Sequence, residues 1–462
     1  AAHVVMVALS REEAFVVIEI GSYATKAMRD ISDVNKLPTV HIRTRAGVLR
    51  PEEGAESDSA SRPDSAAASK EAMQVDAPGA TPPAALPLGT AEDDGRTGSG
   101  DSADASDGGD DGEVGGPSYV FGSALEGADS STLERTVDIL SSGFVDDWDA
   151  LSAFLRHIVT KELGIRISDN TSAFLFSVPA LWTKADLECL VRIAFEHLNA
   201  PTVLVMEQPL MALYGNGKVT GIAVDIGHCL TTVTPVIDSC VQSSCIVQTE
   251  TAGQAVTQHL HERLQADADV RRQFEPEPVP LEFAVAVKES GRCTFQALPA
   301  GDGDAPEPQS IEFGGKRYTV SSEILAGAPE MLVSPAGPAG APLASLLSRA
   351  VLGCEADRRA ALWESIHLVG GSSQFPGLKE RLQLELETTV LPASNIFALS
   401  QTQDIAFHSL PEYFVGWRNH GHWTAFLGAC LVAKIALTDS RHFVSRAEYN
   451  DSGPSIIHTK SF

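Results

Sequence analysis

Two short segments of the chain repeat one pattern of apolar and polar positions. Each is an apolar run that ends in a carboxylate, an apolar residue and a glycine, and each continues into a second β-rich run: residues 15–22 and residues 221–228. This pattern predicts a buried strand and then a hairpin in both places. Two such hairpins that face each other across a cleft can hold the phosphates of a nucleotide on backbone N–H groups, while the carboxylates order a hydrated metal ion.

Between the hairpins, the apolar spacing alternates between that of a helix and that of a strand. Helical spacing runs from residue 146 to 163, and Thr183 is a predicted N-cap for a helix that ends near residue 198. Strands are predicted at 172–178 and 202–206, and a further helix at about 208–214. After the second hairpin, a strand is predicted at 366–369 and helices at about 379–386 and 425–435. This order predicts an α/β chain built by duplication, in which each hairpin opens one lobe.

The predicted lobes are interrupted and uneven in composition. We expect the first lobe to comprise residues 1–50, 117–216 and 406–462, and the second lobe to comprise residues 217–405. Residues 51–116 contain sixteen Asp or Glu and three Lys or Arg. The net charge of this segment is therefore −13, about half of the chain's net charge of −27. Almost free of aromatic residues, this segment cannot bury enough apolar surface to offset chain entropy, so a disordered acidic insertion is expected. The stretches 299–309 and 334–342 are predicted surface loops.

Charge and cysteine usage exclude several classes of protein. A net charge of −27 argues against binding to a nucleic-acid backbone, which requires basic surface. No apolar stretch reaches the length of a membrane span, and residues 1–10 lack the basic start of a signal peptide. The seven cysteines form neither a CxxC pair nor a metal-binding quartet, which is typical of a reducing compartment. A soluble intracellular protein without a metal site of its own is expected.

Several motifs, in the same order as in actin, resemble the actin superfamily. Residues 143–149 resemble the element G-[IV]-V-x-x-W-D, residues 213–222 the run L-Y-A-S-G-x-T-T-G-I, and residues 368–373 the loop L-S-G-G-T-T. Residues 448–458 resemble the C-terminal end of actin, and the match covers almost the whole chain outside the acidic insertion. The resemblance implies an actin-like, ribonuclease H-like duplicated α/β fold with two lobes and a central nucleotide cleft.

Further motifs resemble one class within the superfamily. Residues 411–417 resemble the run P-x-Y-F-x-x-W, and residues 426–429 match F-L-G-A, both of the ninth class of actin-related proteins. That fungal nuclear class belongs to SWI/SNF and RSC chromatin remodellers. The resemblance implies a nuclear subunit that pairs with a second actin-related protein, binds the helicase-SANT-associated helix of the remodeller ATPase, and so acts on chromatin indirectly. Tyr413, Phe414, Trp417 and Phe426 are the implied partner-binding anchors.

The first hairpin departs from the actin phosphate loop, D-[NS]-G-S-G. Glu19, Gly21 and Ser22 occupy matching positions, so the resemblance makes them candidate nucleotide-binding residues. Tyr23 stands where the last glycine belongs, and its side chain disfavours the backbone geometry that glycine permits. Either this tyrosine disrupts the phosphate loop, or it packs outward on a strand.

The second hairpin departs further from its pattern, D-x-G-D-G-x-T-H. Asp225 and Gly227 are retained as candidate nucleotide-binding residues. His228 replaces the second acid, Cys229 the second glycine, and Thr232 the histidine that helps to orient the attacking water. With no cysteine or histidine partners at ligand spacing, His228 is expected to have a structural or surface role and not to bind a metal.

The adenosine side matches the pattern better than the phosphate side. Lys288 and Glu289 resemble the I-K-E segment that contacts adenine and ribose, and Gly370, Gly371 and Ser372 match the loop over the base. The alternatives are an exposed charge pair of little energetic value for Lys288 and Glu289, and a turn that only glycine fits for the glycines. No cofactor is expected to be required, although this side leaves weak ATP binding open.

Catalysis is not expected, because phosphoryl transfer depends on positioning that these substitutions remove. Gln208, which matches the water-positioning glutamine, cannot replace the phosphate loop and its partner residues. The leading interpretation is a non-catalytic structural subunit of a chromatin remodeller. The alternatives are a nucleotide-hydrolysing actin-like protein and a dynactin-type cytoskeletal actin-related protein.

Overall fold

The computed structural model describes residues 12–50, 118–129, 132–295, 307–333, 341–390, 404–436 and 440–460. One compact unit comprises Ala1–Leu49 and Tyr119–Phe462, and a second unit comprises Arg50–Ser118. The predicted acidic insertion, residues 51–116, lies outside the described residues, as do residues 1–10 and most of the two predicted surface loops. Gln309, however, begins a strand, so the loop predicted at 299–309 extends one residue too far.

The strands of the described ranges are β1 (Phe15–Glu19), β2 (Ala24–Arg29), β3 (Val40–Arg43), β4 (Arg45–Leu49), β5 (Tyr119–Val120), β6 (Leu133–Asp138), β7 (Leu140–Ser141), β8 (Phe144–Val145), β9 (Ala173–Val178), β10 (Thr202–Glu207), β11 (Gly221–Ile226), β12 (Thr231–Ile237), β13 (Cys240–Val241), β14 (Val247–Thr249), β15 (Gln309–Phe313), β16 (Lys316–Val320), β17 (Ile366–Val369), β18 (Phe407–His408) and β19 (Val444–Ser445). Both predicted hairpins are confirmed as β1–β2 and β11–β12.

The α-helices are α1 (Gly122–Glu126), α2 (Trp148–His157), α3 (Lys184–Arg192), α4 (Gln208–Gly215), α5 (Gly253–Ala266), α6 (Ala268–Phe274), α7 (Leu281–Glu289), α8 (Ser322–Gly327), α9 (Leu343–Gly353), α10 (Arg359–Trp363), α11 (Leu378–Glu385), α12 (Thr424–Ala436) and α13 (Arg446–Ser452). Thr183 caps α3 in a reciprocal capping box with Asp186, as its sequence position predicts. Among the described helices, none is long and apolar enough to cross a membrane.

The two main sheets repeat one topology, which confirms the predicted duplication. In the first lobe the strand order is β19-β10-β9-β1-β2-β3, with β10, β9 and β1 parallel and the β1–β2 hairpin antiparallel. In the second lobe the order is β13-β12-β11-β17-β18, with β11, β17 and β18 parallel and the β11–β12 hairpin antiparallel. Each hairpin therefore lies beside a parallel strand of its own lobe.

The lobe boundary needs one correction. Strand β18 (Phe407–His408) pairs with β17 and so belongs to the sheet of the second lobe. The predicted boundary between residues 405 and 406 is too early, because a two-residue edge strand has no recognisable pattern of its own. The first lobe resumes after His408.

A shared apolar cluster joins the two lobes through α4 and α12. The cluster takes Phe15 and Val17 from the first sheet, and Ala223 and Val369 from the second. Ten residues of helix α12 are buried and eight of them belong to this cluster, so most of the helix's apolar surface is used inside the protein. Helix α4 packs on strands of both sheets, and α12 packs on α4 and on the first sheet, so the two hairpins are held facing one cleft.

The structure corrects three of the four predicted partner-binding residues. Phe414 is 7% exposed, and Trp417 and Phe426 are fully buried. The indole N–H of Trp417 donates to the carbonyl of Val34 at 2.8 Å, which ties the segment before α12 to the loop after β2. These aromatic residues belong to the shared cluster and are not accessible to a partner, whereas Tyr413 is 69% exposed.

Candidate functional site

The cleft between the two hairpins is a cavity of ≈ 490 Å³. This volume lies in the range of small-molecule sites. All the candidate nucleotide-binding residues, and Gln208, line it: Glu19, Gly21, Ser22, Gln208, Asp225, Gly227, Lys288, Glu289, Gly370, Gly371 and Ser372. The fold thus brings together every candidate nucleotide-binding residue that the sequence indicated, and of the four substituted positions it places Tyr23, His228 and Thr232, but not Cys229, in the cavity lining.

The turn of the first hairpin is tight, and it directs Tyr23 to the cleft. A Cβ atom on Gly21 would lie 2.7 Å from the carbonyl oxygen of Ala24, so the turn requires glycine at position 21. Tyr23 lines the cavity, and its backbone does not adopt the left-handed geometry. The outward packing considered for this tyrosine is therefore wrong: its ring occupies the side of the turn that faces the second lobe.

The Tyr23 side chain contacts residues of both lobes. Its hydroxyl donates to Glu289 Oε1 at 2.6 Å, and it accepts a hydrogen bond from Arg43 Nη1. The Arg43 guanidinium lies 3.7 Å from the centre of the Tyr23 ring, and the His228 ring lies 4.7 Å from that ring on the side of the second lobe. Burial and the bond to Glu289 raise the pKa of Tyr23 to about 12, so the hydroxyl is protonated at neutral pH.

A buried ion pair occupies the base of the cleft. Glu19 and Lys26 are directly opposite each other in the β1–β2 register, and the Lys26 ammonium donates to Glu19 Oε1. Their side chains are only 9% and 11% exposed. The second oxygen, Glu19 Oε2, is buried and has no hydrogen-bond partner among the described residues. Burial, and then the negative charge of Glu19, raise the pKa of Asp225 to about 6.

The second hairpin is closed by its own backbone and packed against the first lobe. The N–H of Gly227 donates to the carbonyl of Leu230 at 2.9 Å. Burial is the largest cause that raises the pKa of Cys229, and it lowers that of His228 to about 4, so at neutral pH the thiol is protonated and the imidazole is uncharged. His228 packs on Tyr23, in agreement with the structural role expected for it. Thr232, which replaces a water-orienting histidine, also lines the cavity.

Lys288 and Glu289 do not pair with each other as the considered alternative required, although Glu289 itself is exposed. The Lys288 ammonium donates to the carbonyl of Gly253 at 3.0 Å and to Thr257 Oγ1 at 2.7 Å. Burial lowers the pKa of Lys288. Glu289 instead reaches Tyr23 of the other lobe. Both charges are engaged by the protein's own groups, one inside the second lobe and one across the cleft.

The loop after β17 requires glycine at one of its two positions. Gly370 has φ = 85°, and a Cβ atom there would lie 2.2 Å from Asp225 Oδ1. A Cβ atom on Gly371 would meet nothing within 4 Å, so packing does not explain that glycine. Ser372 Oγ donates to the carbonyl of Gly227 at 3.4 Å and links the loop to the second hairpin.

The retained glutamine is held by backbone groups. Gln208 Nε2 donates to the carbonyl of Ile20 at 2.7 Å and to that of Ser177 at 3.3 Å. Both carbonyls belong to the first lobe, so Gln208 braces the turn of the first hairpin against β9. The structure thus gives this side chain a clear packing role.

Sequence reasoning missed a group of residues at the floor of the cleft. The Trp423 ring packs at a tilted angle against the rings of His41 and His422, with ring centres 5.1 Å and 5.0 Å apart, and the Lys26 ammonium lies 5.9 Å from the centre of the Trp423 ring. Burial is the main cause that lowers the pKa of His422 to about 3. For Lys26 a signal existed, since a six-residue gap places it opposite Glu19 in the hairpin. The histidines and Trp423 come from distant segments and carry no local signal.

The two duplicated sheets, the paired hairpins and the cleft between them define a protein of the actin type. The chain belongs to the actin family: the family model for actin matches residues 10–297 and 290–462. This finding confirms the fold and the superfamily that the motifs indicated. The assignment to the ninth class of actin-related proteins stays a prediction.

Curated relatives agree with membership of this family. Actin-related protein 7 of Arabidopsis thaliana is 28% identical to this chain over 335 residues, which cover 71% of the chain and 85% of that protein. Actin-related protein 7 of Oryza sativa subsp. japonica is 27% identical over 345 residues, or 72% of the chain and 88% of that protein. Actin-like protein 9 of Rattus norvegicus is 27% identical over 327 residues, or 69% of the chain and 73% of that protein.

The residues at the phosphate end do not fit a nucleotide triphosphate with its metal ion. The described cavity-lining residues include three carboxylates, Glu19, Asp225 and Glu289, and two ammonium groups, Lys26 and Lys288. Both ammonium groups already have protein partners, so neither is free to neutralise a phosphate oxygen. The Tyr23 ring also lines this cavity beside the turn of the first hairpin, where the actin pattern has a glycine.

Proposed function

We propose that the chain is a non-catalytic actin-related structural subunit of an ATP-dependent chromatin-remodelling complex of the SWI/SNF or RSC type, located in the nucleus. In this role it pairs with a second actin-related protein, binds the helicase-SANT-associated helix of the remodeller ATPase, and supports transcription regulation. Membership of the actin family supports the scaffold, and the motifs at residues 411–417 and 426–429 support the remodeller class.

One observation carries the non-catalytic part of the proposal. Tyr23, in the position of a phosphate-loop glycine, extends across the cleft to Glu289. A triphosphate would have to displace this ring before it could reach the turn of the first hairpin. Catalysis of phosphoryl transfer requires preorganised positive groups around the phosphates, and the ammonium groups here are committed elsewhere. We therefore propose that the protein acts as a structural subunit, through the shape of its fold and without hydrolysing nucleotide.

The partner surface of the proposal is centred on Tyr413. In the segment before α12, Tyr413 is 69% exposed and Val415 is 61% exposed. Phe414, which lies between these two residues in the sequence, and Trp417, which follows them, are buried. The buried pair fixes the segment, and the exposed pair is available to a partner. An aromatic side chain on a fixed segment is a favourable anchor, because little conformational freedom is lost on binding.

Affinity purification from nuclear extract tests the proposed role. A tagged wild-type chain is expected to recover a remodeller ATPase and a second actin-related protein. A double variant, Tyr413→Ala with Val415→Ala, should reduce that recovery at least tenfold, as is usual for loss of an aromatic anchor worth about 2 kcal/mol. Leu352, 49% exposed on α9, provides the matched control, and Leu352→Ala should leave recovery unchanged. Recovery of dynactin subunits without a remodeller ATPase would contradict the assignment.

A further inference from the structure

A hydrogen bond between two side chains joins the lobes at the cleft. Tyr23 belongs to the turn of the β1–β2 hairpin in the first lobe, and Glu289 is the last residue of α7 in the second lobe. Their oxygens are 2.6 Å apart, which is typical of an O–H group that donates to a carboxylate. This contact, the Arg43 guanidinium on one side and the His228 ring on the other form a continuous group across the cleft.

We propose that Tyr23 and Glu289 form a latch that holds the two lobes closed in the absence of a ligand. The inference deepens the proposed function, on which it rests, because a subunit that works through its shape needs a fixed relation between its lobes. In a nucleotide-binding member of this fold, phosphates would lie between the hairpins. Here the protein's own phenol and carboxylate make that connection.

The direction of the hydrogen bonds makes the latch specific. Arg43 can only donate, and an ionised glutamate can only accept, so the Tyr23 hydroxyl accepts from Arg43 and directs its own proton to Glu289. Burial and the Glu289 carboxylate keep that hydroxyl protonated by raising its pKa to about 12. The order Arg43, Tyr23, Glu289 therefore has no competing arrangement of protons at neutral pH.

Both ends of the latch are anchored in regular structure. On the first lobe, Arg43 lies in β3 at the position that pairs with Ala24 of β2, next to Tyr23. On the second lobe, Lys288 precedes Glu289 in α7 and is hydrogen-bonded to Gly253 and Thr257 of α5. Movement of either end would require its sheet or helix pair to move, so the latch acts on whole lobes.

The chain contains a matched control for this contact. Tyr449 Oη donates to Glu196 Oε1, also at 2.6 Å, and the pKa of Tyr449 is likewise raised to about 12, with burial as the largest cause. Both of these residues belong to the first lobe. Tyr449→Phe therefore removes the same chemical contact as Tyr23→Phe without removing a connection between lobes.

Hydrogen–deuterium exchange of the full chain without nucleotide tests the latch. In Tyr23→Phe, exchange in peptides that cover residues 20–25 and 227–231 is expected to accelerate about fivefold to tenfold, the effect of losing one hydrogen bond of ordinary net strength. In Tyr449→Phe the same peptides should exchange as in the wild type. Glu289→Gln should have a similar or smaller effect than Tyr23→Phe, and the double variant should add nothing to it.

Three results would overturn the latch. Unchanged exchange in Tyr23→Phe would show that the bond does not hold the lobes. Equal acceleration in Tyr449→Phe would show a general loss of stability, and additive effects in the double variant would show that the two side chains act separately. None of these readouts involves hydrolysis or a partner, so a failure of the latch and a failure of the proposed function are distinguishable.

Discussion

Replacing Lys26 with methionine is expected to lower the free energy of unfolding by about 3–5 kcal/mol, the usual cost of removing one partner of a buried ion pair. Methionine fills most of the lysine volume, so the loss reports the charge. Glu19 would then be a buried carboxylate without its cation, and Asp225 adds a second negative charge nearby. Urea denaturation of the wild type and the variant measures the difference.

A second substitution at the same place provides the control. Asp225→Asn removes the neighbouring negative charge. Added to Lys26→Met, it should recover part of the stability that Lys26→Met loses. In the wild-type background at pH 7.5, Asp225→Asn should be neutral or stabilising. The pKa of Asp225 is raised to about 6 in the folded protein, above its ordinary value of 3.8, so the folded state binds the proton more tightly. Wild-type stability relative to Asp225→Asn should therefore increase as the pH falls from about 7 to 4. A loss below about 1 kcal/mol in Lys26→Met would show that the ion pair is unimportant.

Trp417→Ala is expected to destabilise the protein by about 3–5 kcal/mol, as for other buried aromatic residues. The indole is fully buried in the cluster shared by the two lobes, and its N–H satisfies the carbonyl of Val34. The variant would leave both a cavity and an unpaired backbone acceptor. Thermal and urea denaturation should show a much lower midpoint.

Tyr413→Ala is the matched comparison for that variant. Tyr413 lies four residues earlier in the same segment but is 69% exposed, so its removal should change stability by no more than about 0.5 kcal/mol. If the two variants were equally stable, and both lost partner recovery, the sequence-based view of Trp417 as a contact residue would be right. The packing described above would then be wrong.

The local patterns were sufficient for the duplicated core of the fold, but not for its short edge strands. Apolar runs that end in a carboxylate and a glycine predicted both hairpins, and the Thr183 N-cap predicted the start of α3, because these signals depend on neighbouring residues only. The aromatic segment before α12 was misinterpreted for the same reason. A run such as residues 411–417 shows that large apolar side chains are present, but which of them face inward depends on a loop almost four hundred residues earlier in the chain.

The sequence predicted which residues line the candidate site, but it did not predict the contacts that their side chains make. Each candidate nucleotide-binding residue lines the cleft, because motif positions in a duplicated fold converge there. The bond from Tyr23 to Glu289 spans 266 residues, and the contact between the rings of Trp423 and His41 joins two further distant segments. Such pairings are set by how the lobes meet. A single sequence contains no pattern from which they follow.

Phosphate release from ATP under single-turnover conditions tests the central claim, that the cleft keeps its shape without hydrolysing nucleotide. With the full chain in excess over ATP and Mg²⁺ present, we expect release at the rate of buffer alone, both for the wild type and for Gln208→Ala. Circular dichroism of the variant controls for the two hydrogen bonds that Gln208 makes to Ile20 and Ser177. Release by the wild type that Gln208→Ala abolishes would contradict the account, because it would show a working hydrolytic site.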